Sequence, residues 1–161
     1  MRVDCYSLAR RTVRGLSAGS MGVVLLALCS LSPANDMSDK PFAEQRLVLQ
    51  VSSSEPGDHQ AVLDVASNLL RHYGGPDLVD IEILTYGKGV QMLLAEVSAH
   101  AVRIENLRAG GVRFYICENT LNTRQAQEKR VLAVLPGVLR VPSGIAFLLE
   151  QVDAGYKAVQ P

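Results

Sequence analysis

The residue in this chain best suited to covalent chemistry is Cys117, which closes the run Val112-Arg113-Phe114-Tyr115-Ile116-Cys117 just before the polar Glu118-Asn119-Thr120. An apolar, β-branched and aromatic run that turns polar at one residue reads as a buried strand feeding a helix. Amide N–H groups at such a helix start point toward the sulfur and favour the thiolate, the nucleophilic form. Five further residues can serve a sulfur-bound or anionic ligand there. Lys88, in Gly87-Lys88-Gly89, brings positive charge, Asn119 and Thr120 bring hydrogen-bonding side chains, and Ser143 and Gly144 bring a hydroxyl and amides. Glu118 opposes ionisation of the thiol unless its carboxylate points away. The other reading of Cys117 is a buried cysteine acting as a small apolar residue.

The elements that must position these residues follow from periodicity. Leu47–Val51 reads as a strand, and Val62, Val65, Ala66, Leu69, Leu70 and Tyr73 recur at helical spacing before Gly74-Gly75-Pro76. Asp80–Tyr86 is a second strand. Val90, Leu93, Leu94 and Val97 predict another helix, and Ala101, Ile104 and Leu107 a further one closed by Gly110-Gly111. After the Cys117 strand, a polar helix is expected from about Thr120 to Leu135-Pro136-Gly137, then a short strand over 138–141. Ser143 can cap a helix with Ile145, Leu148, Leu149 and Val152 facing inward, and 156–159 reads as a last strand. Strands alternating with helices predict the α/β class, a doubly wound, three-layer α/β/α domain on a mainly parallel sheet of about five strands. Ligands in such sheets sit beyond the carboxyl ends of the strands. Four loops should therefore meet at one rim: 52–58, 87–89, 117–120 and 142–144.

The ends of the chain differ in composition. Residues 1–14 hold Arg2, Arg10, Arg11 and Arg14 against Asp4, and Met21–Leu31 is an apolar run of 11 residues. This is the order of a secretory signal, with Ser32-Pro33-Ala34 supplying small residues for a cut after Ala34. The run falls short of the roughly 20 apolar residues a membrane span needs, so no stable insertion is expected after cleavage. The expected organisation is a signal peptide over 1–34, a polar lead-in over 35–45 and one domain over 46–161, in a periplasmic or otherwise exported protein. The portion after Ala34 would carry 16 − 4 = 12 basic against 16 − 1 = 15 acidic residues. That mildly acidic balance argues against nucleic acid as a partner. Cys5 and Cys29 would leave with the signal, making Cys117 the one thiol retained.

Elsewhere the residues suggest little chemistry. His59 is expected as a solvated helix residue, with reach to the rim as its other reading, and His72 and His100 as surface residues; no His/Cys/Asp set has metal-ligand spacing, and no metal or cofactor is expected. Gly87-Lys88-Gly89 is too short for a phosphate-cradling loop. The apolar surface around Met92 and Leu93, and the loops near Phe147, are candidates for burial against another subunit.

The order QVSSSEP, TYGKGVQMLL, GVRFYICENT and LPGVLRVPSGI, one stretch after or on each successive strand, resembles the DsrE/DsrF family. The most specific element is a strand-ending Cys-x-Asn-Thr followed by Val-Pro-Ser-Gly. The resemblance covers about Leu47 to Tyr156. It implies a three-layer domain that assembles into homo- or hetero-oligomers, with a sulfur donor or acceptor protein as a further partner. It also implies that Cys117 carries sulfane sulfur as a persulfide. Glu118 departs from the small residue common at that place in the family.

Overall fold

The computed structural model describes residues 40–161, so the expected signal and residues 35–39 of the lead-in lie outside the described residues. Five strands pair in parallel in the order β4-β3-β2-β1-β5. They are β1 (Gln45–Val51), β2 (Val79–Thr85), β3 (Arg113–Cys117), β4 (Leu139–Val141) and β5 (Lys157–Val159). The helices are α1 (Pro56–Tyr73), α2 (Ala101–Ala109), α3 (Glu118–Glu128) and α4 (Gly144–Asp153). The chain walks from β1 to β4 in one direction, so right-handed crossovers place α1, α2 and α3 on one face. It then returns past β1 to β5, and that single reversal puts α4 on the other face.

Side chains along each strand alternate between two cores. Leu49, Ile81, Ile83, Phe114 and Ile116 pack against α1, α2 and α3, whereas Val48, Leu84, Tyr115 and Val141 pack against Phe147 of α4. Local signals define the helix ends. Pro56 occupies the first turn of α1, and Gly74, at φ 84°, closes that helix in a conformation glycine adopts without strain. Ser143 caps α4, its hydroxyl accepting from the Ala146 amide. No helix among the described residues is long and apolar enough to cross a membrane.

Three local expectations are corrected. The helix predicted over 90–97 is a 3-10 helix, Gly87–Leu93, which stops where Leu94 pairs with Val134 in an antiparallel bridge. Gly89 lies so close to the end of β1 that a Cβ there would sit 2.2 Å from the Val51 carbonyl oxygen. Helix α3 ends at Lys129, in the left-handed region at φ 52°, well before Leu135-Pro136-Gly137. Past that point the chain leaves the helix to join the Leu94 and Leu93 backbone, with Leu135 N–H donating to the Leu93 carbonyl at 2.9 Å. In α4 the buried residues are Gly144, Phe147 and Gln151, while Ile145, Leu149 and Val152 are exposed. That helix is apolar on more than one side, so periodicity left its phase open; close packing of Gly144 on Cys117 sets it.

Candidate functional site

The four predicted loops do converge, joined by main-chain and side-chain hydrogen bonds. Gly89 N–H donates to the Ser52 carbonyl at 3.1 Å, Gly87 N–H to the Thr120 hydroxyl at 3.3 Å, and Asn119 N–H to the Pro142 carbonyl at 3.2 Å. Neighbouring strands β3 and β4 send their helices to opposite faces, which opens a crevice between the starts of α3 and α4. Cys117 sits in that crevice. It is the residue immediately before α3, and the Gly144 N–H at the start of α4 donates to its Sγ at 3.2 Å. A Cβ on Gly144 would lie 3.2 Å from the Tyr86 Cβ and 3.3 Å from the Cys117 Cβ, so glycine is what lets this amide reach the sulfur.

Burial pushes the Cys117 thiol up, since only 6% of the residue is exposed. The nearby Thr120 hydroxyl and amide, the Gly144 amide on Sγ and the Asn119 amide together outweigh that effect and hold the thiol below its ordinary value. Two helix N-termini thus face one sulfur, and the arrangement favours a thiolate without any charged group touching it. Glu118 does not oppose this at close range, because its carboxylate turns toward Arg140, 3.8 Å away.

The other predicted site residues divide. Asn119, Thr120 and Gly144 surround Cys117. The Ser143 hydroxyl is engaged as the cap of α4. Lys88 lies beside the sulfur's surroundings, in the wall of an adjoining cavity it shares with Asn119 and Thr120, and makes no ion pair among the described residues. His59 is buried rather than solvated: its Nε2 lies 2.8 Å from the Ser53 carbonyl oxygen and ties the first rim loop to α1. His100 is partly buried and meets the His59 ring edge-on, with centroids 6.3 Å apart. Met92, Leu93 and Phe147, candidates for an intersubunit surface, are buried within their own domain.

Sequence reasoning missed a second polar region on the α4 face of the sheet. Asp80 and Glu82 are fully buried on β2, and one guanidinium, Arg113 on β3, bonds both at 2.8 and 3.0 Å. The Tyr156 hydroxyl donates to Asp80 at 2.5 Å, the Tyr115 hydroxyl to Glu82 at 3.2 Å, and Lys40 lies 3.6 Å from Asp80. Burial pushes Glu82 up to about 7, against the pull of Arg113. Glu82 Oε2 and Arg113 Nε have no hydrogen-bond partner. The signal was the alternation of Asp80 and Glu82 along β2, which reads equally well as a solvated strand face.

Fold and crevice together define a parallel α/β domain with a cysteine at the carboxyl edge of its sheet. The sequence model of the DsrE/DsrF-like family matches residues 45–161, and the chain belongs to that family. Among solved structures it is similar to MTH1491, a protein of unknown function from Methanobacterium thermoautotrophicum. The identity is 24% and the TM-score 0.65, over 73% of this chain and 100% of that one. It is also similar to the ychN protein of E. coli, at 18% identity and TM-score 0.55, over 73% of this chain and 99% of that one. Both likenesses concern the fold. A comparison with curated proteins found no match.

Proposed function

We propose that this protein is an exported, self-associating sulfur carrier that holds sulfane sulfur on Cys117 as a persulfide. The observation that carries the reading is the Gly144 amide on Cys117 Sγ, at the start of α3, in a chain of the DsrE/DsrF-like family. The thiolate attacks the outer sulfur of a donor R–S–SH, a Cys117–S–SH bond forms as the donor S–S bond breaks, and R–S⁻ leaves. The sulfur moves without an external oxidant, and an acceptor thiolate takes it by the same step in reverse. Export is supported by the arginine-rich start and the apolar run that follows it. Self-association is supported by the exposed Ile145, Leu149 and Val152, an apolar stripe along the outer side of α4.

Incubating the protein with inorganic polysulfide and weighing it by mass spectrometry tests this. A gain of one sulfur that disappears in Cys117→Ser is expected; an unmodified Cys117 refutes the reading. The second reading is a non-catalytic module of the same fold that binds a small ligand or protein, with Cys117 packed for structure. The low exposure of Cys117 favours it, and it predicts no persulfide under the same treatment.

A further inference from the structure

Beside the Cys117 crevice the rim opens into a cavity of about 690 Å³. Its walls come from the first rim loop, the 3-10 helix and the outer face of α3, where Thr120, Thr123, Arg124 and Gln127 line up at helical spacing. Every side chain that lines it is polar or charged, so the cavity offers hydrogen bonds and charge to a hydrophilic ligand. The volume falls in the range of sites for organic molecules, roughly 300–1,000 Å³. A small inorganic sulfur anion would leave most of it filled with water.

Charge narrows the class further. The wall carries two cations, Lys88 and Arg124, against one carboxylate, Glu128, which Arg124 bonds at 2.7 Å, and Lys88 has no carboxylate partner among the described residues. The cavity wall is thus short of negative charge. Asn119 and Thr120 both line the cavity and follow Cys117 directly in the first turn of α3, so the sulfur lies close behind that wall.

We propose that this cavity seats a low-molecular-weight, hydrophilic peptide thiol of net negative charge, and that its persulfide is the small molecule with which Cys117 exchanges sulfur. The proposal rests on the sulfur-carrier reading and names its substrate class. Carboxylates of the peptide face Lys88 and Arg124, its amides face Asn119, Thr123 and Gln127, and its sulfur end faces Thr120. Transfer balances as Cys117–S⁻ plus R–S–SH giving Cys117–S–SH plus R–S⁻, with only the outer sulfur changing owner.

The test is calorimetric titration of the purified protein with S-methylglutathione, an unreactive probe of this class. Saturable binding is expected, weakened roughly tenfold by Lys88→Gln and by Arg124→Gln, as loss of a charged hydrogen bond predicts. Lys88→Arg and Cys117→Ser should bind as the unaltered protein does, and thermal melts should show each variant folded. No binding, or binding indifferent to both charge removals, overturns the proposal. Equal affinity for thiosulfate overturns it in favour of an inorganic anion, and preferential binding of an oligoglutamate peptide in favour of a protein tail. Polysulfide treatment separates the two claims. If Cys117 gains sulfur while the probe fails to bind, the cavity assignment fails alone. If the probe binds and Cys117 never gains sulfur, the carrier reading fails and takes the exchange role with it.

Discussion

Cys117 and Glu82 occupy the same face of the sheet on neighbouring strands, and burial drives both toward the protonated form, yet the outcomes are opposite. Cys117 is held below its ordinary range, whereas Glu82 is pushed up to about 7. The difference lies in how far the surrounding donors offset burial. The Gly144 amide donates to one sulfur, and the Thr120 hydroxyl and the amides that open α3 lie beside it. In the buried cluster a single guanidinium and two tyrosine hydroxyls serve two carboxylates, and Glu82 Oε2 receives nothing. Neutral dipoles fixed by the backbone achieve at the rim what a shared full charge does not achieve in the interior.

Removing the shared cation has the largest expected effect. Arg113→Met leaves Asp80 and Glu82 buried with Lys40 as the one cation near among the described residues, and should cost roughly 3–5 kcal/mol in urea unfolding, the range for a broken buried pair. Glu82→Gln acts through pH. The folded value of about 7 lies above the ordinary 4.5, so the folded state binds more protons than the unfolded one between those limits. Stability from this group is fully present below about pH 4.5, is lost as pH rises through 7, and falls by about 3 kcal/mol in all. Urea midpoints at pH 5 and pH 8 should therefore converge in Glu82→Gln relative to the unaltered protein.

At the rim, Gly144→Val crowds Cys117 and Tyr86 and moves the amide off Sγ. The thiol value should rise, and alkylation of Cys117 near neutral pH should slow. Thr120→Val removes one donor beside the sulfur and should raise the thiol value by less. Lys88→Gln should move it least, because Lys88 lines the cavity and does not hydrogen-bond the sulfur. An alkylation profile across pH orders the three.

Much of this arrangement was legible before any coordinates. Alternating strands and helices implied the parallel sheet, and the rule that ligands gather beyond strand ends brought Lys88, Cys117 and Gly144 to one rim. Three things were not legible, for separable reasons. The 3-10 helix depends on how closely Gly89 approaches Val51, a tertiary contact without a local signature. The phase of α4 was ambiguous because Ile145, Leu148, Leu149 and Val152 form a helical stripe as regular as the face that is buried. The buried carboxylates were hidden because Asp80 and Glu82 are acceptable in a solvated strand, and only pairing with Arg113 from β3 makes their burial tolerable. Cys117 itself was identified correctly as the strand-ending thiol, while its surroundings of amides required the meeting of α3 and α4.

The most direct measurement is the rate of iodoacetamide alkylation of Cys117 as a function of pH, followed by mass spectrometry on that residue. The account predicts a titration midpoint below the free-thiol value of about 8.5, shifting upward in Thr120→Val. A midpoint above that value, or a Cys117 that stays unlabelled until the protein unfolds, would contradict it.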